Sequence, residues 1–477
     1  MASRPLPRGR GGRRALTALP LPSASQLKAG NTRVHLDIGA ARIGILAGGG
    51  RLPLTIAESV LERGGSVHIV AIEGEADPGV ARFPHTWVNW GQVGRMVSTL
   101  RKRADAMVIA GGVRRPDLWK LRPDWGFFLS LPQILDMMAG GDDSVLSRVV
   151  RFFEVKGIAV RGAHEVAPGL LALGGPAGAL SLDRQSLADA ELGFAVRAAL
   201  GALDAGQAVV TEGGRVLAIE GAEGTDAMLR RVADLRGKRD GAAPSGVLAK
   251  GPKPGQELRV DMPTIGPRTV EGAVAAGLAG VAVEAESVLL LDRSEAIAAA
   301  DAHGIAVQGL PRTSTTVASG GQTPRESGVK VDTSDARGLP PGVGALQPDA
   351  RAAADIEKGL AAIERLAPFE TGKAVVVARA YILAIAAAES VFAMLERTRA
   401  LRQWGVGAKR RVGVVACRAG RAEWDAASVA QLLEGAAAQG LAGVAVAGPA
   451  AALAPFVESG GLAGRHGLVL ATREEQP

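Results

Sequence analysis

The chain repeats itself. Residues 206–231, GQAVVTEGGRVLAIEGAEGTDAMLRR, pair without gaps with residues 372–397, GKAVVVARAYILAIAAAESVFAMLER, at an offset of 166 residues and with 13 of 26 positions identical. GLAGVAV occurs at 277–283 and again at 440–446, and LADAELGF (187–194) answers AADIEKGL (353–360). Self-similarity of this length marks one supersecondary unit used twice. Residues 348–472 are therefore expected to form a second, eroded copy of the domain that ends near residue 310. The shared frame is apolar, and the groups that change are polar: Glu220, Gly221, Gly224, Thr225 and Asp226 face Ala386, Ala387, Ser390, Val391 and Phe392. Residues kept for packing persist in both copies. A set kept for a ligand is lost together with the ligand.

The 477 residues allow roughly two to four domains at about 100–200 residues each. IGILAGGG (43–50) reads as a strand ending in three glycines, followed by a helix opened by Leu52 and Pro53. SVHIVAIEG and AMVIAGGV are further strands with helical segments between them. That alternation predicts a parallel sheet with crossover helices, a Rossmann-like domain over 43–160. A second α/β domain spans 161–310, and a Pro-, Gly-, Ser- and Thr-rich linker spans 311–347. The fold class expected is α/β throughout, with the C-terminal domain duplicated in degenerate form. The basic residues 1–40 read as a dispensable, disordered tail or a transit-type segment.

Composition removes several function classes. The single cysteine, Cys417, excludes an internal disulfide framework and a cysteine-based zinc site, and suits a reducing compartment. The six histidines show no metal-ligand spacing. The net charge is +7, with much of the surplus in the first 36 residues, and no basic patch is interleaved with aromatics, so no nucleic-acid partner is expected. The apolar run 374–395 contains Arg379 and Glu389 and has a soluble twin, so it is not read as a membrane span.

Six stretches carry candidate chemistry. Gly48, Gly49 and Gly50 follow a strand, where backbone amides and a helix N-terminus can approach a phosphate; a tight turn against the sheet is the structural alternative. Arg114, in AGGVRRPD, leaves a strand on the same rim and can meet phosphate or solvent. Asp142 and Asp143 precede a helix that either can cap. In EGAEGTDAML, Glu220 ends a strand while Thr225 and Asp226 open a helix. These groups suit a metal, a water or a phosphate oxygen, or a simple cap. Their joint loss from the repeat favours a ligand. Lys250 and Lys253 lie on a Gly/Pro loop suited to an anionic substrate, and Asp261 and Thr264 follow in RVDMPTIG. In the repeat, Cys417 stands where Lys250 would be, and Asp425 is expected to be the relic of Asp261. His164, in GAHEV, is the histidine most worth following.

In this order, GILAGGGRLP, AGGVRRPD, GDD, GAHEV, EGTDAMLRR, KxPKPxQExRVDxPTIG and GLAGV resemble the UDP-2,3-diacylglucosamine pyrophosphatase family of lipid A synthesis, in its alphaproteobacterial form, over residues 43–310. The resemblance implies a substrate held between a Rossmann-like and an α/β domain. It implies hydrolysis to UMP and 2,3-diacylglucosamine 1-phosphate (lipid X), assisted by a divalent ion, usually magnesium. The family's essential aspartate falls on Asp261; the reading of the EGAEGTDAML stretch adds Asp226 and Thr225 as expected catalytic residues. The metal ligands expected are Asp261, Asp226 and Glu220. Substrate contacts are expected at Gly48, Gly49, Gly50, Arg114, Asp142, Asp143, His164, Lys250, Lys253 and Thr264. A lipid substrate implies a cytoplasmic protein peripheral to the inner membrane, and a homodimer is expected.

The second copy lies outside the family pattern. It is expected either to dock where another subunit's domain would pack or to occlude the lipid cleft, with a passive tether as the alternative. Two rival functions exist. IGILAGGG with Glu73 fits an NAD(P)-dependent oxidoreductase, although no Tyr-x-x-x-Lys pair occurs and the only tyrosine, Tyr381, sits in the repeat. A non-enzymatic nucleotide or lipid binder is the other.

Overall fold

A computed structural model describes residues 41–113, 122–138, 142–237, 243–254, 256–312, 346–401, 411–420 and 424–475, with side chains at all of these except 135–138 and 142–144. The first lobe is a parallel sheet of β1 (Arg42–Ala47), β2 (Ser66–Ile72), β3 (His85–Val88), β4 (Ala106–Ala110) and β5 (Ala159–Arg161), in the order β3-β2-β1-β4-β5. A parallel sheet is covered on both faces, so its inner strands read as continuous apolar runs. Ile43, Ile45, Ile69, Val70 and Met107 are accordingly buried. The strand order reverses between β1 and β4, the position at which doubly wound sheets open a crevice. The turns leaving those two strands are the glycine turn 48–50 and Gly111–Gly112.

The second lobe, copy one, contains β6 (Gly175–Pro176), β7 (Ala208–Glu212), β8 (Arg215–Ile219), β9 (Val247–Lys250), β10 (Thr264–Ile265), β11 (Gly280–Glu284), β12 (Leu289–Leu290) and β13 (Ala306–Leu310). Its main sheet runs β6-β13-β11-β9-β7-β8, and β10 pairs with β12 beside it. Copy two contains β14 (Ala374–Ala378), β15 (Tyr381–Ala386), β16 (Val414–Arg418), β17 (Gly443–Gly448) and β18 (Val469–Glu474), in the order β15-β14-β16-β17-β18.

That order is copy one's β8-β7-β9-β11-β13, with the same strand directions: antiparallel around β7 and β14, parallel beyond. Small details repeat as well. Asp183 and Asp349 cap equivalent helices. Asp189 accepts the amides of Gly213 and Gly214 in the β7–β8 turn, and Asp355 accepts those of Arg379 and Ala380 in the β14–β15 turn. Among the described residues, copy two has no counterpart of the β10–β12 ladder.

The copies face each other about a pseudo-twofold axis. Ala222 N–H donates to Leu383 O at 3.0 Å, and Ala388 N–H donates to Leu217 O at 3.3 Å, each residue contacting the twin of its partner's contact. Such reciprocity defines an isologous interface. A continuous core runs across it, containing Val196, Leu200 and Ile219 from copy one and Ile363, Leu366 and Ile385 from copy two. Fully burying side chains of this kind is worth about 1.5–3 kcal/mol each. The seam also carries an alternating ring of charge: Arg231 pairs with Glu223 (2.7 Å) and Glu389 (3.4 Å), while Arg397 pairs with Glu389 (2.6 Å) and Glu223 (3.4 Å).

Candidate active site

A cleft of about 330 Å³ opens between the first lobe and copy one. Gly49, Gly50 and Arg51 form one wall, Arg259, Asp261, Met262 and Thr264 the other. Among the described residues, two ion pairs join the lobes: Arg51 with Asp292 at 3.3 Å, and Arg259 with Glu154 at 2.9 Å. No described residue of copy two lines this space. Among the described residues, the seam of copy two uses another face of copy one.

The glycine turn has a different task from the one its sequence suggests. Gly48 N–H donates to Ala110 O at 2.9 Å and Gly49 N–H to Gly112 O at 2.7 Å, with Gly112 N–H returning to Gly49 O at 3.0 Å. A Cβ on Gly48 would sit 2.6 Å from Gly112 O. These two glycines bring the β1 and β4 turns into backbone contact, and their amides are already engaged. Gly49 and Gly50 still reach the cleft wall; Gly48 does not.

Beneath the opposite wall lies a buried polar cluster. Lys250 ends β9, and its Nζ donates to Thr225 Oγ1 and to Thr264 O, both at 2.9 Å. Thr225 Oγ1 in turn donates to Glu220 Oε1 at 3.1 Å. Glu220 Oε2 is buried without a hydrogen-bond partner among the described residues. Burial pushes the Lys250 ammonium below the usual lysine range, opposed by Glu220, Asp226 and Asp261. Burial likewise pushes the Glu220 carboxyl upward, opposed chiefly by Lys250 and the Thr225 hydroxyl. Lys250 thus bonds directly to Thr225 and Thr264, and three acids act on it by charge.

Thr225 is not a helix cap. Gly224 holds that position at φ 79°, and no side chain caps the helix Thr225–Arg236. Thr225 is therefore free of the ordinary capping explanation, whereas Asp226 stands in the first turn of that helix. Asp226 sits at the exposed edge, paired with Arg268 at 2.5 Å. Asp261 lines the cleft, and its Oδ2 accepts from Gln256 Nε2 at 2.6 Å. Gln256 is itself buried and accepts Lys253 N–H at 2.9 Å. Thr264 lines the cleft above Lys250.

Other expected residues stand elsewhere. The Lys253 ammonium pairs with Asp204 at 2.6 Å and is not among the lining residues. His164 adjoins the lining residue Ala163; its Nδ1 is buried without a partner among the described residues, and burial lowers its pKa. Arg114 lies outside the described residues, as do the side chains of Asp142 and Asp143, whose backbone opens the helix Asp142–Val155. Sequence reasoning missed Gln256, Arg259 and Arg51. The first two belong to the QExRVD stretch already singled out, so the signal was adjacent.

The three carboxylates expected as metal ligands do not form a cage. Among the described residues, no three His, Cys, Asp or Glu side chains gather closely enough to hold an ion. Glu220 is engaged by Thr225, Asp226 by Arg268 and Asp261 by Gln256. A magnesium ion does not require such a cage; one or two carboxylates plus substrate phosphates suffice.

In copy two the cluster is dissolved. Register places Cys417 at the position of Lys250, since β14 Ala374 faces Cys417 as β7 Ala208 faces Lys250. Ala386 and Val391 replace Glu220 and Thr225. The Cys417 thiol is fully buried, and burial pushes its pKa up to about 12. Asp425 is not the relic of Asp261. It caps the helix Ala426–Ala438 through Ser428 N–H, the place taken in copy one by Gly266 before the helix Pro267–Ala275. Asp261 lies before β10 and caps no helix.

A parallel-sheet lobe and a mixed-sheet lobe, closing on a cleft over a buried lysine–threonine–carboxylate cluster, define a two-lobed α/β protein with a small-molecule site at the switch point of its first sheet. The LpxI N-terminal domain matches residues 42–170, and the LpxI C-terminal domain matches twice, at 174–308 and 341–469. The chain belongs to the LpxI family. The UDP-2,3-diacylglucosamine pyrophosphatase LpxI of Caulobacter vibrioides is 42% identical over 272 residues, covering 56% of this chain and 97% of that relative. A relative of that length has room for one C-terminal domain only. The resemblance read from the motifs holds, and the second match coincides with the internal repeat. Family membership leaves the oxidoreductase reading of the glycine turn without support.

Proposed function

We propose that this chain hydrolyses the pyrophosphate bond of UDP-2,3-diacylglucosamine, giving UMP and 2,3-diacylglucosamine 1-phosphate. One observation carries the reading: the Lys250–Thr225–Glu220 cluster and Asp261 are present in the copy that faces the cleft and absent from the copy that does not. The family and its 42%-identical relative supply the substrate class. Water attacks one phosphorus, and the bridging P–O bond breaks. Asp261, fixed by Gln256, orients that water at the cleft wall. Lys250 acts from below, holding Thr264 and Thr225 in place and setting positive charge under the site, where low dielectric strengthens its effect on developing phosphate charge. A magnesium ion, carried in with the diphosphate and held by Asp261, would supply further charge neutralisation.

The acyl chains suit a peripheral position on the cytoplasmic face of the inner membrane. The helix Trp125–Met138 exposes Trp125, Phe128 and Leu129, a set that favours an interface. No described helix is long and apolar enough to cross a membrane. A homodimer would have to use another face than the seam, which copy two already covers. The test is incubation with UDP-2,3-diacylglucosamine, with and without magnesium, and detection of UMP. Turnover by the parent chain and binding without turnover by Asp261→Ala support the reading; no UMP from the parent under either condition overturns it.

A further inference from the structure

We infer that the chemistry-free copy is a working part of the site: Leu383, Glu389 and Arg397 of copy two position the loop 220–224, which presents Glu220 and Thr225 to Lys250. The inference rests on the preceding reading of that cluster as part of the active site.

The loop runs from the end of β8 to the helix Thr225–Arg236 and carries glycine at 221 and 224, where backbone freedom is greatest. Its anchors come from across the seam. Ala222 N–H donates to Leu383 O at 3.0 Å, and a Cβ at Gly221 would collide with that same carbonyl. Glu223 receives Gly221 N–H at 3.2 Å and Arg231 at 2.7 Å, and Arg397 approaches it at 3.4 Å. Glu389 closes the ring by holding Arg397 at 2.6 Å and Arg231 at 3.4 Å. The four side chains are 3–19% exposed, so water screens the ring little. Glu223 also acts by its charge on the Glu220 carboxyl. A shift of the seam therefore reaches the cluster through the chain and through the field. The repeat's polar losses stop short of this ring: Glu389 and Arg397 match Glu223 and Arg231, although every cluster residue around them has gone.

Arg397→Ala and Glu389→Ala in the full chain test the inference. Ile363→Ala, which loosens the shared core and bonds nothing in the loop, serves as the comparison. All three variants are expected to melt at lower temperature. Only the first two are expected to lose turnover, with kcat about 10- to 100-fold lower at unchanged KM, the scale of a small misplacement of site groups. In the same two variants, amide hydrogen exchange at 221–225 is expected to quicken. Should either alanine variant fail to fold, Arg397→Lys and Glu389→Gln are read in the same way. Unaltered exchange in the loop, or a kcat equal to the parent's, overturns the inference. Absence of UMP from the parent chain overturns the functional reading instead, and the exchange measurement then decides this inference alone.

Discussion

Copy one and copy two are a controlled comparison built into one chain. Their strand orders, strand directions and capping aspartates agree, and Asp189 and Asp355 tie down equivalent hairpin turns through the same two amides. At the floor beneath the cleft they part: Glu220, Thr225 and Lys250 in one, Ala386, Val391 and Cys417 in the other. The difference separates two uses of a buried polar group. A carboxylate that satisfies backbone donors is retained, because losing it would leave those donors unpaired. A lysine and a glutamate buried on either side of one threonine hydroxyl cost desolvation, and without a task they give way to apolar side chains of little consequence for the fold.

Lys250→Met is expected to break the comparison most severely, by making copy one resemble copy two at its hub. Turnover should fall by about a thousandfold or more, as for loss of a principal electrostatic group. Thermal and denaturant unfolding should show a loss of about 1–3 kcal/mol, because the buried Thr264 carbonyl and Thr225 hydroxyl lose their donor.

The pH profile sharpens the same point. Burial lowers the pKa of Lys250, and its protonated form donates to Thr225 and Thr264. Activity should therefore fall as pH rises through that lowered value, placing the alkaline limb below the ordinary lysine value of 10.5. Arginine keeps its charge far higher, so whatever turnover Lys250→Arg retains should lose this limb. A limb at or above the ordinary value would contradict the assignment.

Asp189→Ala and Asp355→Ala are expected to behave alike. Each should cost about 1–3 kcal/mol in unfolding experiments by orphaning two amides, with kcat retained in the folded protein. A selective loss of turnover in the Asp189 variant would blur the line between structural and chemical carboxylates. The smallest effect concerns the turn itself. Gly213 and Gly214 adopt left-handed backbone in copy one, whereas Arg379 and Ala380 do so in copy two, at φ 53° and 65°. Ala380→Gly should relieve about 1 kcal/mol of strain and raise the melting temperature slightly.

Much of this was legible in the sequence because burial and periodicity are local properties. The gapless pairing of 206–231 with 372–397 announced a shared unit, and the apolar runs of β7, β8, β14 and β15 announced buried strands. Glu220, Thr225 and Lys250 were also legible as a candidate set, since a duplicate that keeps packing and drops polarity marks the polar residues. Their mutual bonding was not, because β8, β9 and a helix start meet only in three dimensions. The glycine turn left two readings open for a related reason: a strand followed by glycines looks the same whether its amides face a phosphate or a neighbouring turn. The Arg231–Glu223 and Arg397–Glu389 matches stood in plain view as identical positions. Only the pseudo-twofold axis turns two internal pairs into one ring across the seam.

The measurement that bears most directly on the account is UMP release from UDP-2,3-diacylglucosamine by Asp261→Ala beside Asp425→Ala. Asp261→Ala is expected to abolish turnover while the chain stays folded. Asp425→Ala is expected to leave turnover intact and to cost only the ~1 kcal/mol of a lost helix cap. Full turnover by the Asp261 variant, or its loss in the Asp425 variant, would contradict the assignment of the chemistry to copy one.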